Sequence, residues 1–523
     1  MTTAGALAEL RGKIADAAER LTGHYRPRRY RGGKVVRDVV WGMVDILPHE
    51  LGFIDSPLFQ RLRGISQTSL AMLTYPCANH SRFEHSIGCV AVADRVLHAL
   101  GRRIGITEKD RLVVRLAALL HDCTHGPYSH TSENFYKSNP LFKAVRAQLP
   151  ELFERASASE IVTYCLITSE PFGRLWNEVM AQYEAAPGAG GLLSDRDRWQ
   201  IATMILGSDT NPERPEASPG IEHRFLRQLI NGPFDVDKLD YVARDGYFTG
   251  LNLAIDVERL LWVLDTIKVQ EGPGRHARVL CVAASGATVL EQILFSKMQL
   301  YSSVYHHHMV RVAHQAVLRL LSSLKEAGIP LNGLMLDNPA AFMSADDSDL
   351  LHAPLGDLRD DESDSLKRAR LLIREIRERT LPMRALVLTH PVWGVNPRSS
   401  SDADRKTWEA KMKAPGQPDA LAAEIAGAAG LSDPNDVWVD IPGPAPLEGT
   451  AQEGLVKFDD DTYLAIGEMF PVGGWLSGYQ SYRTVSYVFA RKEREKVGHA
   501  AREVLSRQYG ITTNDVSLKL ARL

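Results

Sequence analysis

The chain has 523 residues, of which 44% are apolar and 24% charged, enough to bury a large core and too apolar for wholesale disorder. Lys and Arg number 61 against 64 Asp and Glu, a net charge of −3, which excludes a generally basic nucleic-acid binder but leaves room for a local basic pocket. The five Cys, at 77, 89, 123, 165 and 281, form no CxxC pair; they set up neither a disulfide framework nor a zinc knuckle and fit a reducing cytoplasm. No apolar run approaches the ~20 residues of a membrane span. The N-terminal stretch MTTAGALAELRGKIADAAERL carries charges throughout instead of the apolar core of a signal peptide.

In chain order, residues 5–22 read as an amphipathic helix and 25–37 as a basic loop with a short strand at Val35–Val36. From 57 to 330 the pattern is mostly helical. Ile87, Val90, Ala91, Leu97 and Leu100 form one stripe over 86–104, and Leu112, Leu116, Leu119 and Leu120 another over 108–122. Thr107, with Glu108 and Asp110 behind it, is a helix start for the second. Residues 287–327 read as one long helix. Ala185–Gly191 and Ser208–Gly220 are Gly/Pro-rich surface loops. Residues 337–364, with DDSD and DDESDS, read as a solvated acidic connection. Beyond it RALVL (384–388), VWVDI (437–441) and SYVFA (486–490) read as strands, followed by a helix near 491–507. The expected organisation is an N-terminal helix (1–30), a helical domain (31–335), an acidic linker (336–364) and an α+β domain (365–523), mainly α as a whole.

Three segments concentrate chemistry: HSRFEHS (80–86), HDCTHGPYSH (121–130) and DVDKLDYVARD (235–245). His121 and Asp122 are adjacent where an apolar helix ends. Helical neighbours point about 100° apart, so the pair can grip one ion only from a helix end. Imidazole nitrogen with carboxylate oxygen suits Fe, Mn, Co, Zn or Mg. Two ligands are too few for a closed site, and His85 and Asp237 are the natural candidates for the others. Most remaining His, His80 among them, read as incidental. The run His306–His308 cannot share one ion, because consecutive helical side chains diverge.

The pattern resembles the HD-domain phosphohydrolases, and most closely the branch of the SAM-and-HD-domain dNTP triphosphohydrolase. The likeness runs from Lys34–Val36 through IDSPLFQRLRGISQ (54–67), YPCANHSRFEHSIG (75–88), LLHDCTHGPYSH (119–130), FDVDKLDYVARD (234–245) and QLYSSVYHHH (299–308). It implies an all-helical HD core with a smaller C-terminal lobe, and a divalent metal on His85, His121, Asp122 and Asp237. By the same likeness Arg82 and Lys238 hold phosphate. His125 and His130 flank the scissile phosphate, with His130 as general acid to the leaving 5′ oxygen and Glu133 orienting it. Tyr241 and Asp245 meet the deoxyribose, Gln67 lies near its 3′ hydroxyl, and Tyr305 and His306 match a Tyr-Gln pair near the base. Lys34, Val35, Val36, Asp55, Gln60 and Arg63 match a guanine-nucleotide activator site. A dNTP substrate, a nucleotide effector and a homo-oligomer (dimer or tetramer) are the implied partners; neither a membrane nor nucleic acid is.

The chain departs from the family where relatives carry a further His in a His-Glu step: here the step is Ser159–Glu160. Trp41 stands where relatives carry His and Lys297 where they carry Arg. The expected activity is metal-dependent hydrolysis of a dNTP to deoxynucleoside and triphosphate. The alternatives are a nucleotide sensor with weak or gated hydrolysis that signals to a partner, and hydrolysis of another phosphoester such as a cyclic nucleotide or an alarmone.

Overall fold

The computed structural model describes residues 5–184, 193–357, 362–389, 411–412, 414, 416–443, 454–483, 485–511 and 513–522. The expected loop at 185–191 lies outside them. The chain is mainly α and divides into two compact units: Met1–Ser296 with Leu321–Lys367 and Gly449–Phe470, and Lys297–Leu320 with Arg368–Glu448 and Pro471–Leu523. The units therefore interleave in sequence, with one break between Lys367 and Arg368. No helix among the described residues is long and apolar enough to cross a membrane.

The first unit is a helical core. The N-terminal helix Ala6–Thr22 buries Leu7, Leu10, Ile14, Ala17 and Ala18, the period of an amphipathic helix. A two-stranded hairpin follows, β1 (Lys34–Asp38) and β2 (Gly42–Ile46). Helix α1 (Arg82–Gly101) starts at Ser81, whose backbone N–H donates to Glu84 Oε2 at 2.6 Å. Helix α2 (Glu108–Leu120) starts at Thr107, whose Oγ1 accepts from the Asp110 N–H while Asp110 Oδ2 accepts from the Thr107 N–H, each at 3.0 Å. This reciprocal cap is the start read from the sequence. Helices α3 (His130–Tyr136), α4 (Ala158–Thr168) and α5 (Val236–Thr249) complete the elements that carry the site.

Helix α5 packs on α1 at Gly88. A Cβ there would stand 1.9 Å from Asp240 Oδ1 and 2.2 Å from a terminal nitrogen of Arg244. The missing side chain is what lets the two helices approach.

Three features differ from the sequence expectation. Residues 264–283 are not helical but a β-hairpin, Leu264–Gly272 with Arg275–Ala283. The latter strand pairs in parallel with Leu455–Lys457, which pairs antiparallel with Tyr463–Ala465. Residues 336–357 are not a loose connection. They contain two short helices, α6 (Ala340–Met343) and α7 (Asp347–Leu351), and Ala340, Ala341, Phe342 and Leu350 are fully buried. The long helix expected over 287–327 is broken: Ala287–Leu300 runs into a wide π turn, Tyr301–Tyr305, and the helix resumes at His308–Glu326. The His306 N–H bonds the Tyr301 carbonyl at 2.9 Å, and the Tyr301 and Tyr305 rings meet edge-on at 4.9 Å.

The second unit holds the three predicted strands as one antiparallel sheet, in the order Met383–Leu388, Ser486–Ala490, Val437–Asp440. Every residue of the central strand is buried. Helices Gln417–Ala428 and Arg494–Tyr509 contribute Ile425, Val504 and Leu505 to its core.

Replacing Gly88 with Ala should overpack the α1–α5 contact and lower stability by about 1–3 kcal/mol. A denaturant titration would register this as a lower midpoint; an unchanged midpoint would contradict the close approach.

Candidate metal centre

The site forms where the end of α2 meets the first turns of α1 and α5. His121 is the C-cap of α2, and its N–H still bonds the Ala117 carbonyl at 3.0 Å. Asp122 follows in the turn, so the two side chains splay from a helix end. The capping at Ser81 sets Arg82 and His85 in the first turn of α1. At the start of α5, Asp235 Oδ1 accepts from the Lys238 N–H at 2.9 Å and places Asp237 in the first turn.

Four donor atoms then face one point. His85 Nε2 lies 3.4 Å from Asp122 Oδ2 and 3.1 Å from Asp237 Oδ1; His121 Nε2 lies 3.4 Å and 3.9 Å from the same oxygens. Ligands bound at about 2.1 Å in octahedral or tetrahedral geometry stand about 3.0–3.4 Å apart. The four residues expected from sequence are together, at separations a small divalent ion would bridge.

The tautomers fit as well. His85 Nδ1 is 2.7 Å from Asp240 Oδ2, and His121 Nδ1 is 2.8 Å from the Ala118 carbonyl. Each acceptor fixes a proton on Nδ1 and leaves the Nε2 lone pair for a metal. His121 Nε2 is buried and makes no hydrogen bond. Burial disfavours a charged His85, yet Cys89 and the carboxylates of Asp122, Asp237 and Asp240 raise its pKa well above the usual imidazole value. Burial likewise works against ionised Asp122, but Arg82, His121 and His125 hold its carboxyl well below the usual range. The pocket favours positive charge at the point where the four donors meet. Cys89 Sγ is 3.6 and 3.8 Å from the two ring nitrogens of His85. Near-equal distances put the thiol against the ring, not along the Nε2 lone pair.

Asp240 is the residue the sequence reading passed over. Fully buried, it receives His85 Nδ1, Trp41 Nε1 at 2.5 Å and two Arg244 nitrogens at 2.8 and 2.9 Å. Arg244 is also 2.9 Å from Asp38. The i, i+4 spacing of Asp240 and Arg244 on α5 was the available signal.

Beside the metal donors, Arg82 is 2% exposed, pairs with Asp122 and donates from Nε to Ser129 Oγ at 2.9 Å. Its second terminal nitrogen is buried and makes no hydrogen bond, a donor left for an anion. Lys238 Nζ is engaged by Asp235 Oδ2 at 2.5 Å and the Gly232 carbonyl at 2.8 Å, so it reaches a phosphate only by leaving them. His125 Nε2 is 3.2 Å from Asp122 Oδ1, and burial together with Arg82 lowers its pKa to about 4. The His130 side chain is 70% exposed, open to a substrate, and its Nδ1 is 3.0 Å from Glu133 Oε2. Glu133 Oε1 accepts from the Ser159 N–H at 3.2 Å and Ser159 Oγ at 3.0 Å. Ser159 therefore orients Glu133 from the first turn of α4. Burial opposes the charge on Glu133, but His130, His125 and the Ser159 amide keep its pKa far below the usual carboxylate value. His125, His130 and Glu133 also bring potential ligand atoms within 4.8 Å of one another.

Asp245 is held by His80, whose Nε2 is 2.8 Å from its Oδ1. His80 is 2% exposed and stacked on Phe248 at 4.5 Å, so it is not incidental. The Gln67 N–H bonds the His80 carbonyl at 3.0 Å, and Gln67 Oε1 is buried without a hydrogen bond. Tyr241 is half-buried on α5. Tyr305 and His306 belong to the second unit, where the Tyr487 hydroxyl donates to the His306 carbonyl at 3.1 Å. Of the expected activator residues, Lys34 lies 4.8 Å over the Tyr30 ring, and the Tyr30 hydroxyl donates to Asp55. Gln60 Oε1 accepts from Arg63 at 2.9 Å, and Val35 and Val36 are exposed on β1.

Comparison with known families assigns the class. The HD domain profile matches residues 82–178, and the HD associated region profile matches residues 255–512. The chain belongs to the HD-domain superfamily, close to its SAMHD1-like branch. It is 29% identical over 318 residues to an uncharacterized protein of Methanocaldococcus jannaschii, covering 60% of this chain and 54% of that one. It is 26% identical over 358 residues to the deoxynucleoside triphosphate triphosphohydrolase SAMHD1 homolog of Dictyostelium discoideum, covering 67% and 60%. To deoxynucleoside triphosphate triphosphohydrolase SAMHD1 of Homo sapiens it is 32% identical over 239 residues, covering 44% and 35%. The chain thus spans between about a third and three-fifths of the length of these relatives.

Asp240→Ala should weaken divalent metal binding about 10- to 100-fold by freeing the His85 ring. Calorimetric Mn²⁺ titration checks this, and an unchanged affinity would remove Asp240 from the account.

Proposed function

We propose that the protein is a metal-dependent deoxynucleoside triphosphate triphosphohydrolase. The observation that carries the reading is the juxtaposition of four preset metal donors with Arg82, a buried cation that has one donor nitrogen unpaired. A metal held by His85, His121, Asp122 and Asp237 supplies Lewis acidity at a phosphate oxygen. The remaining work falls to this chain's own groups, as phosphoryl transfer is mostly positioning and charge neutralisation. Arg82 neutralises the phosphate. His125, neutral near pH 7 because its pKa is lowered to about 4, directs its Nε2 to Asp122 Oδ1 and adds no charge beside the phosphate. A water oxygen joins the α-phosphorus and releases a proton to solvent as the bond from phosphorus to the 5′ oxygen breaks. His130, oriented by Glu133, gives its proton to that oxygen. The products are a deoxynucleoside and triphosphate. Tyr241, Asp245 and Gln67 hold the sugar.

The relatives named as dNTP triphosphohydrolases support this choice of substrate. The same reading extends to a nucleotide effector at Lys34, Val35, Val36, Asp55, Gln60 and Arg63, and to a homo-oligomer.

Chromatographic product analysis with Mn²⁺ or Mg²⁺ tests the proposal. The dNTPs, given singly or as a four-way mixture, should yield deoxynucleoside and intact triphosphate, and Asp122→Ala should yield neither. Turnover of the four-way mixture but of no single dNTP is the result expected of an effector. Bound nucleotide with no product in any mixture would sink the enzymatic reading in favour of a sensor. Tyr241→Ala should lower the ratio of dNTP to NTP turnover, and equal turnover of both by the native protein would contradict its role at the sugar.

A further inference from the structure

The turn between Asp122 and His130 is strained: Tyr128 and Ser129 are consecutive non-glycine residues at φ 54° and 55°, a conformation that persists only where the surroundings over-determine it. Ser129 sits at the centre. Its Oγ accepts from Arg82 Nε at 2.9 Å and donates to the Ser66 carbonyl at 2.6 Å, and the next residue is His130. Both neighbours of this hub are held by one carboxylate. Asp347 Oδ1 accepts from the Tyr128 N–H at 2.6 Å, and Asp347 Oδ2 accepts from the Ser66 N–H at 2.9 Å. The surrounding segment is built against the same turn. Arg61 donates to the carbonyls of Cys123 and His125, each at 2.7 Å, and of Ala345 at 3.2 Å. Gly126 lies so close to Phe342 that a Cβ there would meet its side chain at 2.7 Å.

We propose that Asp347 is a positioning residue of the active site: by clamping Tyr128 and Ser66 it holds the strained turn that sets Arg82 and His130. The inference rests on the functional reading above. A carboxylate can accept both amide protons at once. An amide at this position keeps one oxygen and turns an NH₂ group toward a second N–H, so one clamp is lost.

The test compares the full-length protein with Asp347→Asn and with Asp349→Asn, a neighbour that receives the Asp346 N–H and Asn332 but nothing from the turn. Expected for Asp347→Asn are a kcat at least ten-fold lower, Mn²⁺ affinity within two-fold of the native protein, and faster hydrogen exchange over residues 126–131. Asp349→Asn should stay within two-fold in all three. A kcat for Asp347→Asn within two-fold of native overturns the proposal, as does an equal loss in Asp349→Asn. If the native protein makes no deoxynucleoside, the functional reading fails by itself, and exchange at 126–131 decides the clamp: faster supports it, unchanged overturns it. Should Asp347→Asn not fold, Asp347→Glu keeps the charge and displaces it by one methylene. Its kcat should fall at least three-fold, and native kcat would again overturn the proposal.

Discussion

The bond from His85 Nδ1 to the buried carboxylate of Asp240 is the contact on which the centre depends. It joins α1 to α5, fixes the His85 tautomer and brings Asp237 into range of the same ring. Asp240 is a fully buried charge, and an unpaired carboxylate there would cost several kcal/mol. It persists because His85, Trp41 and Arg244 all donate to it. Gly88 supplies the space, as any larger residue would occupy the position of the Asp240 oxygen.

From that contact the electrostatics follow. Asp122 and Asp237 face two imidazole nitrogens, and the shared point attracts positive charge. Arg82 donates to Asp122 Oδ2, the same oxygen that faces the two imidazoles, and keeps one nitrogen in reserve. A carboxylate pair thus stands beside a guanidinium, the juxtaposition on which the proposed hydrolase reading rests. His130 is exposed, and the residues that orient it, Glu133 and then Ser159, are buried.

Much of this was legible in the sequence where the signals are local. The apolar stripe and the Thr107 cap of α2 are contained within a few residues, and the structure places them as read. The adjacency of His121 and Asp122 at a helix end implied a shared ion and distant co-ligands, and His85 and Asp237 do stand beside them. What escaped depends on partners far apart in the chain. Asp240 lies 155 residues from His85 and His80 lies 165 from Asp245, and neither pairing leaves a periodic trace. The acidic stretch misled for a different reason. Its charge density suggested solvent, but Ala340, Phe342 and Leu350 between the charges are buried, and Asp347 pairs with backbone N–H groups instead of water. The π turn at Tyr301–Tyr305 keeps helical spacing of apolar residues and so reads as unbroken helix.

His85, His121, Asp122 and Asp237 are proposed to close on one divalent ion, and anomalous diffraction from crystals grown with Mn²⁺ would locate it. One strong peak is expected within about 2.0–2.3 Å of His85 Nε2, His121 Nε2 and an oxygen of each carboxylate. A peak at His125, His130 and Glu133 instead, or no peak at saturating Mn²⁺, would contradict it.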